Sequence, residues 1–150
     1  MSDVFLNGKF IPADEAKVSV LDRGFVFGDG VYEVIPVYDG YCFKLKNHLQ
    51  RLQNSLDESK ILNPYSEKQW EMLLKKLINL HLGGDQVLYI QVTRGVAVRD
   101  HVFPENTTPT VFVMSNLMQG VPEKYKKNGI SAISLKDSRW QKCNIKSTSL

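Results

Sequence analysis

Cysteine is scarce in this sequence of 150 residues, which contains only Cys42 and Cys143. The two thiols lie far apart, no CxxC pair occurs, and no group of histidines accompanies them, so the spacing of a zinc site is absent. So few cysteines indicate a reducing compartment rather than a secreted domain stabilised by disulfides. The sequence therefore predicts no metal site and a location in the cytoplasm.

Long runs of one kind of residue are also missing. No apolar stretch approaches the length of a transmembrane helix, and the N-terminal residues lack the pattern of a signal peptide. Basic and acidic residues are interspersed, and the net charge of +3 does not indicate a nucleic-acid surface. A content of 43% hydrophobic and 23% charged residues is typical of a globular protein. We therefore expect neither a membrane nor a nucleic acid among its partners.

Hydrophobic patterning predicts a small α+β domain with antiparallel strands. Two hairpins are expected around Asn7-Gly8 and Asp39-Gly40, because these dipeptides tolerate the positive φ angles of a type I′ turn. Pro36 within the second hairpin favours a sheet edge or a bulge. Further strands are predicted over 86–94, 110–117 and 130–135.

Two helices are expected between the hairpins and the later strands. The first covers residues 47–59, with Asn47 as its N-cap and leucines at helical spacing. The second begins at Ser66, which can form a capping box with Gln69. The predicted buried positions are Leu49, Leu52 and Leu56 on the first helix and Trp70, Leu73, Leu74, Leu77 and Ile78 on the second.

The polar, lysine-rich segment 121–128 is typical of a linker between domains. We therefore expect an N-terminal α+β domain over 1–120, a linker over 121–128, and the beginning of a second domain over 129–150. The final residues look like the first turn of an element that does not continue. The expected architecture is a complete small domain followed by a truncated one.

Two loops could carry chemistry. The segment 22–33, DRGFVFGDGVYE, has glycines that let the backbone approach a ligand, although its composition alone favours a turn-rich approach to a strand. It is not a Walker loop, because no GK[ST] follows the glycines. Arg99 and His101 point to the same side if their segment is extended, and together they could bind a carboxylate. A solvated loop is the simpler interpretation of this pair.

Two single residues are further candidates. A lysine such as Lys146, close to apolar residues, can act as a nucleophilic amine, but thirteen other lysines compete for that role. Arg51 lies beside the apolar stripe of the first predicted helix and could face an anion. By default it is a surface arginine.

Five segments, in this order and at these spacings, resemble the class IV aminotransferases of pyridoxal-phosphate fold type IV. They are DRGFVFGDGVYEV, HLQRL, YIQVTRG, VRDHVFPENT and KCNIKS, and the resemblance covers essentially the whole chain. The arginine–histidine pair ahead of FPENT resembles the members of the family that act on D-amino acids. The resemblance implies an α+β N-terminal domain with an antiparallel sheet and two helices.

The resemblance also implies a role for each candidate residue. Lys146 matches the lysine that holds pyridoxal 5'-phosphate and moves the proton at the substrate Cα, and Arg51 matches the arginine that binds the cofactor phosphate. Tyr32, Arg99 and His101 match the residues that bind the substrate carboxylate. In the family the last two come from the neighbouring subunit, which implies a homodimer. The implied reaction is transamination between a D-amino acid, first of all D-alanine, and a 2-oxo acid such as 2-oxoglutarate.

Some features depart from the family pattern and leave alternatives open. Asp100 places a negative charge between Arg99 and His101, which costs little in an extended segment and weakens carboxylate binding if the loop turns. The family's acidic partner of the pyridinium nitrogen lies downstream of these 150 residues. Alternatives are an aminodeoxychorismate lyase or a branched-chain aminotransferase of the same fold, or a folded fragment that is inactive alone.

Overall fold

A computed structural model describes residues 3–80, 83–136 and 144–148, so Cys143 lies outside the described residues. The elements, in chain order, are β1 (Asp3–Leu6), β2 (Lys9–Pro12), α1 (Arg23–Phe27), β3 (Gly30–Tyr38), β4 (Tyr41–Cys42), α2 (Leu45–Glu58), α3 (Glu67–Leu80), β5 (Gln86–Thr93), β6 (Thr110–Leu117) and α4 (Glu123–Asn128). The strands form one antiparallel sheet in the order β2-β1-β6-β5-β3-β4. The predicted α+β class is confirmed.

Both predicted hairpins are present. The four turn residues have the positive φ angles of a type I′ turn: Asn7 47°, Gly8 92°, Asp39 49° and Gly40 80°. The carbonyl of Pro36 accepts a hydrogen bond from the Phe43 N–H at 2.8 Å, on the side of β4. Because N–H and C=O of one strand residue point the same way, the N–H that proline lacks also faces β4. The ladder with β5 is therefore intact at Pro36. The expected edge position is wrong for the strand as a whole, because β3 lies between β5 and β4 and the edge strand is β4.

The two predicted helices lie against one face of the sheet and enclose the core. All eight predicted apolar positions of α2 and α3 are buried. The capping box is also present, since the Ser66 N–H donates to Gln69 Oε1 at 2.8 Å and the Gln69 N–H donates to Ser66 Oγ at 3.4 Å. The predicted N-cap Asn47 is wrong. The helix begins two residues earlier because Leu45 packs against the core, and the preceding Lys44 has a left-handed φ of 47°.

One prediction near the end of the described chain is wrong. The strand expected over 130–135 does not form, and Ile130, Ile133 and Leu135 are each at least 75% exposed. A strand requires a partner for its backbone N–H and C=O groups, and no described strand lies beside this segment. The segment 121–128 contains the short helix α4, none of whose residues is buried. Within the described ranges, no helix has the length and apolarity needed to cross a membrane.

Candidate functional site

The segment that carries Lys146 lies along the edge of β3. Because β4 pairs only with the last two residues of β3, the beginning of that strand has an edge available for another segment. There the Tyr32 N–H donates to the Lys146 carbonyl at 2.9 Å, and the Thr148 N–H donates to the Gly30 carbonyl at 2.9 Å. On the other side of β3, a side chain at residue 30 would place Cβ 2.9 Å from the Val92 carbonyl oxygen, so the close approach of β3 to β5 requires glycine here. Main-chain hydrogen bonds thus fix Lys146 next to Tyr32.

The side chain of Lys146 reaches over an aromatic ring. Its Nζ lies 3.9 Å from the centre of the Tyr32 ring, which stacks on Tyr89 with 5.8 Å between ring centres. The Lys146 N–H donates to Ser55 Oγ of α2 at 3.2 Å, and Ser55 is buried. Arg51 precedes Ser55 by one helical turn and so lies on the same face of α2. The helix therefore brings Arg51 to the edge of the sheet that holds Lys146.

Arg51 is held by a buried carboxylate, Glu33 of β3. Arg51 Nε donates to Glu33 Oε2 at 2.7 Å and Nη2 donates to Oε1 at 2.6 Å. The Glu33 side chain has no exposed surface, whereas that of Arg51 is 51% exposed. A guanidinium has five N–H donors, so this bidentate pair orients Arg51 and leaves donors for an anion.

The charge of Glu33 is maintained by its neighbours. Burial alone raises the pKa of this carboxyl, but hydrogen bonds from Arg51, from the Val34 N–H and from His48 outweigh burial, so the pKa lies below its ordinary value of 4.5. Glu33 in turn raises the pKa of the Arg51 guanidinium. Both groups are therefore ionised at neutral pH.

Arg99 and His101 lie together on an exposed loop after β5. The guanidinium carbon of Arg99 is 4.9 Å from the centre of the Phe27 ring, and the His101 ring is 5.6 Å from it, centre to centre. The loop turns at Asp100, whose Oδ1 accepts a hydrogen bond from the Val102 N–H at 3.3 Å. Arg99 and His101 nevertheless rest on one ring, and Asp100 forms no ion pair with either of them within the described part of the chain.

The predicted site residues thus form two separate groups in one chain. Tyr32 and Lys146 are in contact at the edge of β3, with Arg51 one helical turn from the Ser55 that binds the Lys146 N–H. Arg99 and His101 share the loop. Among the residues that the structure describes, no hydrogen bond, ion pair or ring contact joins the loop pair to Tyr32 or Lys146.

Asp29, which the sequence analysis missed, organises the glycine-rich segment. Its carboxylate accepts hydrogen bonds from Arg23 Nε at 2.7 Å and from Arg94 Nε and Nη2 at 2.7 and 3.0 Å. Arg94 also donates to the carbonyls of Ser59 and Lys60 at the end of α2. The sequence held a signal for these ion pairs: Asp29 is flanked by two glycines, and Arg94 directly follows β5.

The ion pairs of Asp29 make the stability of the fold dependent on pH. Burial alone raises the pKa of Asp29, but the hydrogen bonds from Arg94 and Arg23 outweigh it, and the pKa lies below its ordinary value of 3.8. A lowered folded pKa stabilises the protein above the unfolded value, and the stabilisation is lost as the pH falls through the folded value. We expect Asp29→Asn to lower the free energy of unfolding at pH 7 by about 2–3 kcal/mol. The difference from the wild type should shrink below about pH 4 in urea unfolding, and a constant difference would contradict this.

Comparisons with known proteins show which family the chain resembles. A model of the family described as Amino-transferase class IV matches residues 30–150. A D-alanine aminotransferase of Staphylococcus aureus (strain MSSA476) is 40% identical over 150 residues, which cover 100% of this chain and 53% of that protein. The D-alanine aminotransferase of Bacillus licheniformis is 43% identical over 147 residues, which cover 98% of this chain and 52% of that protein. The chain therefore spans about half the length of the curated relatives it matches.

A solved structure shares the fold. The 4-amino-4-deoxychorismate lyase of Pseudomonas aeruginosa superimposes with a TM-score of 0.69 and 28% identity, and the match covers 85% of this chain and 44% of that one.

Proposed function

The chain belongs to the class IV aminotransferase family, and from this we propose that it forms the N-terminal half of a D-alanine aminotransferase. The proposed reaction is transfer of the amino group from a D-amino acid, D-alanine in the first place, to a 2-oxo acid such as 2-oxoglutarate. The observation that carries the proposal is the contact between Lys146 and Tyr32 at the edge of β3. Arg51 lies one helical turn from Ser55, which binds the Lys146 N–H. We further propose the cytoplasm as its location, with residues 1–120 as one domain and 129–150 as the beginning of the cofactor-binding domain.

The residues at this edge fit pyridoxal 5'-phosphate, the cofactor of the class IV family. The cofactor carries an aldehyde and a phosphate, and the edge offers an amine at Lys146 and an oriented, half-exposed cation at Arg51. When bound, the cofactor supplies an electron sink that makes the substrate Cα proton removable. Lys146 would hold the cofactor and move that proton, and Arg51 would bind the phosphate.

The substrate carboxylate is assigned to Tyr32, Arg99 and His101. Arginine gives a bidentate clamp for a carboxylate, and the phenol and imidazole add further donors. A carboxylate fixed on one side of the cofactor determines which Cα–H bond faces Lys146. The same three residues would therefore select the enantiomer.

A spectrophotometric assay of the full-length enzyme with 2-oxoglutarate and either D- or L-alanine tests this function. Turnover of D-alanine is expected. Turnover of L-alanine alone would refute the proposal.

A lyase acting on aminodeoxychorismate is a second candidate, because the solved lyase shares 28% identity with the chain. The identity of about 40% with D-alanine aminotransferases favours transamination. Release of pyruvate from aminodeoxychorismate without a 2-oxo acid acceptor would favour the lyase. Transamination of branched-chain L-amino acids would favour the remaining alternative.

We propose that the enzyme is a homodimer in which Arg99 and His101 of one subunit complete the site of the other. The supporting observation is the separation of the loop pair from Lys146 within one chain. The loop also exposes apolar side chains, with Val98 85% and Val102 72% exposed. Exposed apolar side chains in a group are typical of an interaction surface.

Mixing two inactive variants tests this sharing. A heterodimer of Lys146→Ala and Arg99→Ala subunits has one intact site if the loop acts on the partner, and none if it acts within its own chain. After unfolding and refolding the mixture, we expect activity to return to about a quarter of the wild-type value, because half of the dimers are mixed and each has one intact site of two. No recovery in the mixed sample, with full recovery of refolded wild type, would contradict the sharing.

The 150 residues alone are expected to fold but not to transaminate. Half of a cofactor cleft neither excludes water nor holds the ring rigidly. Measurable transamination by the isolated 150-residue chain would refute this.

A further inference from the structure

We propose that Arg23 is a positioning residue for the loop that carries Arg99 and His101, called here the carboxylate-binding loop. This inference rests on the proposed function. Arg23 lies in α1, outside that loop, and is only 4% exposed. None of the roles assigned above to cofactor or substrate binding uses it. Its contacts connect the glycine-rich segment to the residue between Arg99 and His101.

The guanidinium of Arg23 donates hydrogen bonds to both Asp29 and the main chain of Asp100. Its Nε donates to Asp29 Oδ2 at 2.7 Å, and its Nη1 donates to the main-chain carbonyl of Asp100 at 2.7 Å. Because a guanidinium is planar and its donors have fixed directions, two short hydrogen bonds on different nitrogens set the position of the Asp100 backbone relative to Asp29. Arg99 and His101 are the residues directly before and after Asp100 in the chain.

Arg23 also contacts the ring on which the loop pair rests. Its guanidinium carbon lies 4.7 Å from the centre of the Phe27 ring, the same ring that Arg99 and His101 contact. Cations within about 6 Å of an aromatic centre are attracted to the ring. Arg23 thus fixes both the main chain between the two carboxylate-binding residues and the aromatic surface beneath them.

The framework around Asp29 does not depend on Arg23 alone. Arg94 makes two of the three side-chain hydrogen bonds to Asp29, and it also binds the end of α2. Removal of Arg23 therefore leaves Asp29 paired. We expect a variant at Arg23 to fold and to retain the site around Lys146, while the loop loses its anchor.

Because Arg23 anchors the loop, the carboxylate-binding residues are ordered before the substrate binds. A loop that must be ordered during binding weakens affinity, because its conformational entropy is lost at that moment. Loss of Arg23 should therefore weaken carboxylate binding and leave the proton transfer by Lys146 unchanged. This combination distinguishes positioning from general destabilisation.

The test uses Arg23→Gln in the full-length enzyme loaded with pyridoxal phosphate, with Arg94→Lys as the matched control in the same framework. Calorimetric titration with 2-oxoglutarate should give a Kd about 10-fold higher for Arg23→Gln, in line with the loss of one strong hydrogen bond. KM for D-alanine should rise by a similar factor, with kcat changed by less than about 3-fold. Arg94→Lys should lower thermal stability and leave the Kd within about 3-fold.

A double-mutant cycle shows whether Arg23 acts through the loop. In an Arg99→Ala/His101→Ala background, adding Arg23→Gln should change the Kd for 2-oxoglutarate by less than about 2-fold, because the residues that it positions are gone. The positioning role is overturned if Arg23→Gln binds 2-oxoglutarate as tightly as the wild type, or if its effect is undiminished in that background. The proposed function fails separately, if the wild type binds 2-oxoglutarate but does not turn over D-alanine.

Discussion

Replacing Lys146 by alanine should lower the rate of D-alanine transamination by about 10⁴-fold or more, since both covalent attachment of the cofactor and proton transfer are lost. The main chain of Lys146 is held by the Tyr32 N–H and by Ser55 Oγ, and neither contact involves the side chain that is removed. The variant should therefore unfold at the same urea concentration as the wild type. Initial rates in the coupled assay measure the effect.

Lys124→Ala is a matched control for that variant. Lys124 also places its Nζ over a tyrosine ring, 4.7 Å from the centre of Tyr125, but it lies on α4, which has no buried residue. Its replacement should leave the rate within about 2-fold of the wild type, as is usual for a surface position. Retention of more than about one-hundredth of the activity in Lys146→Ala would contradict the assignment of Lys146.

Replacing Arg51 by alanine should weaken the binding of pyridoxal phosphate by about 100-fold or more, because a charge-assisted pair of hydrogen bonds to the phosphate is lost. The change also leaves the buried carboxylate of Glu33 without its bidentate partner. Only the Val34 N–H and His48 then remain as partners of this buried carboxylate, so the free energy of unfolding should fall by about 3 kcal/mol. Fluorescence titration of the apoprotein measures the affinity, and urea unfolding measures the stability.

Two further variants separate these effects. Arg51→Ala/Glu33→Gln removes the buried charge that has lost its bidentate partner, so it should recover stability without recovering cofactor affinity. Gln50→Ala changes the neighbouring residue of the same helix, which is exposed and bonded to Asn54, and should affect neither property. Recovery of cofactor affinity in the double variant would mean that Arg51 acts only as the partner of Glu33.

Elements encoded by local signals were predictable from the sequence. The turn at Asn7 and Gly8 and the capping box of Ser66 and Gln69 depend on neighbouring residues, and both are present. The strand expected over 130–135 failed because a strand depends on a partner elsewhere, which its own residues do not specify. The single turn of α1 was too short to give a periodic pattern.

In the candidate site, too, the features that depend on distant residues could not be predicted from local patterns. The residue pattern alone did not distinguish Lys146 from the other thirteen lysines, and only the resemblance to the family singled it out. Its position on the edge of β3 depends on contacts with Tyr32 and Ser55, which lie about a hundred residues away in the sequence. The pairing of Glu33 with Arg51 is equally nonlocal, because it joins a strand to a helix. Such contacts are set by tertiary packing and leave no periodic signal in the chain.

One labelling experiment tests the central claim, that Lys146 at the edge of β3 is the lysine that holds pyridoxal phosphate. The full-length protein is mixed with the cofactor, reduced with borohydride, digested, and its modified lysine is identified by mass spectrometry. We predict one modification per chain, at Lys146, and a strong decrease of that modification in Arg51→Ala at limiting cofactor. Modification scattered over other lysines, with Lys146 unmodified, would contradict the claim.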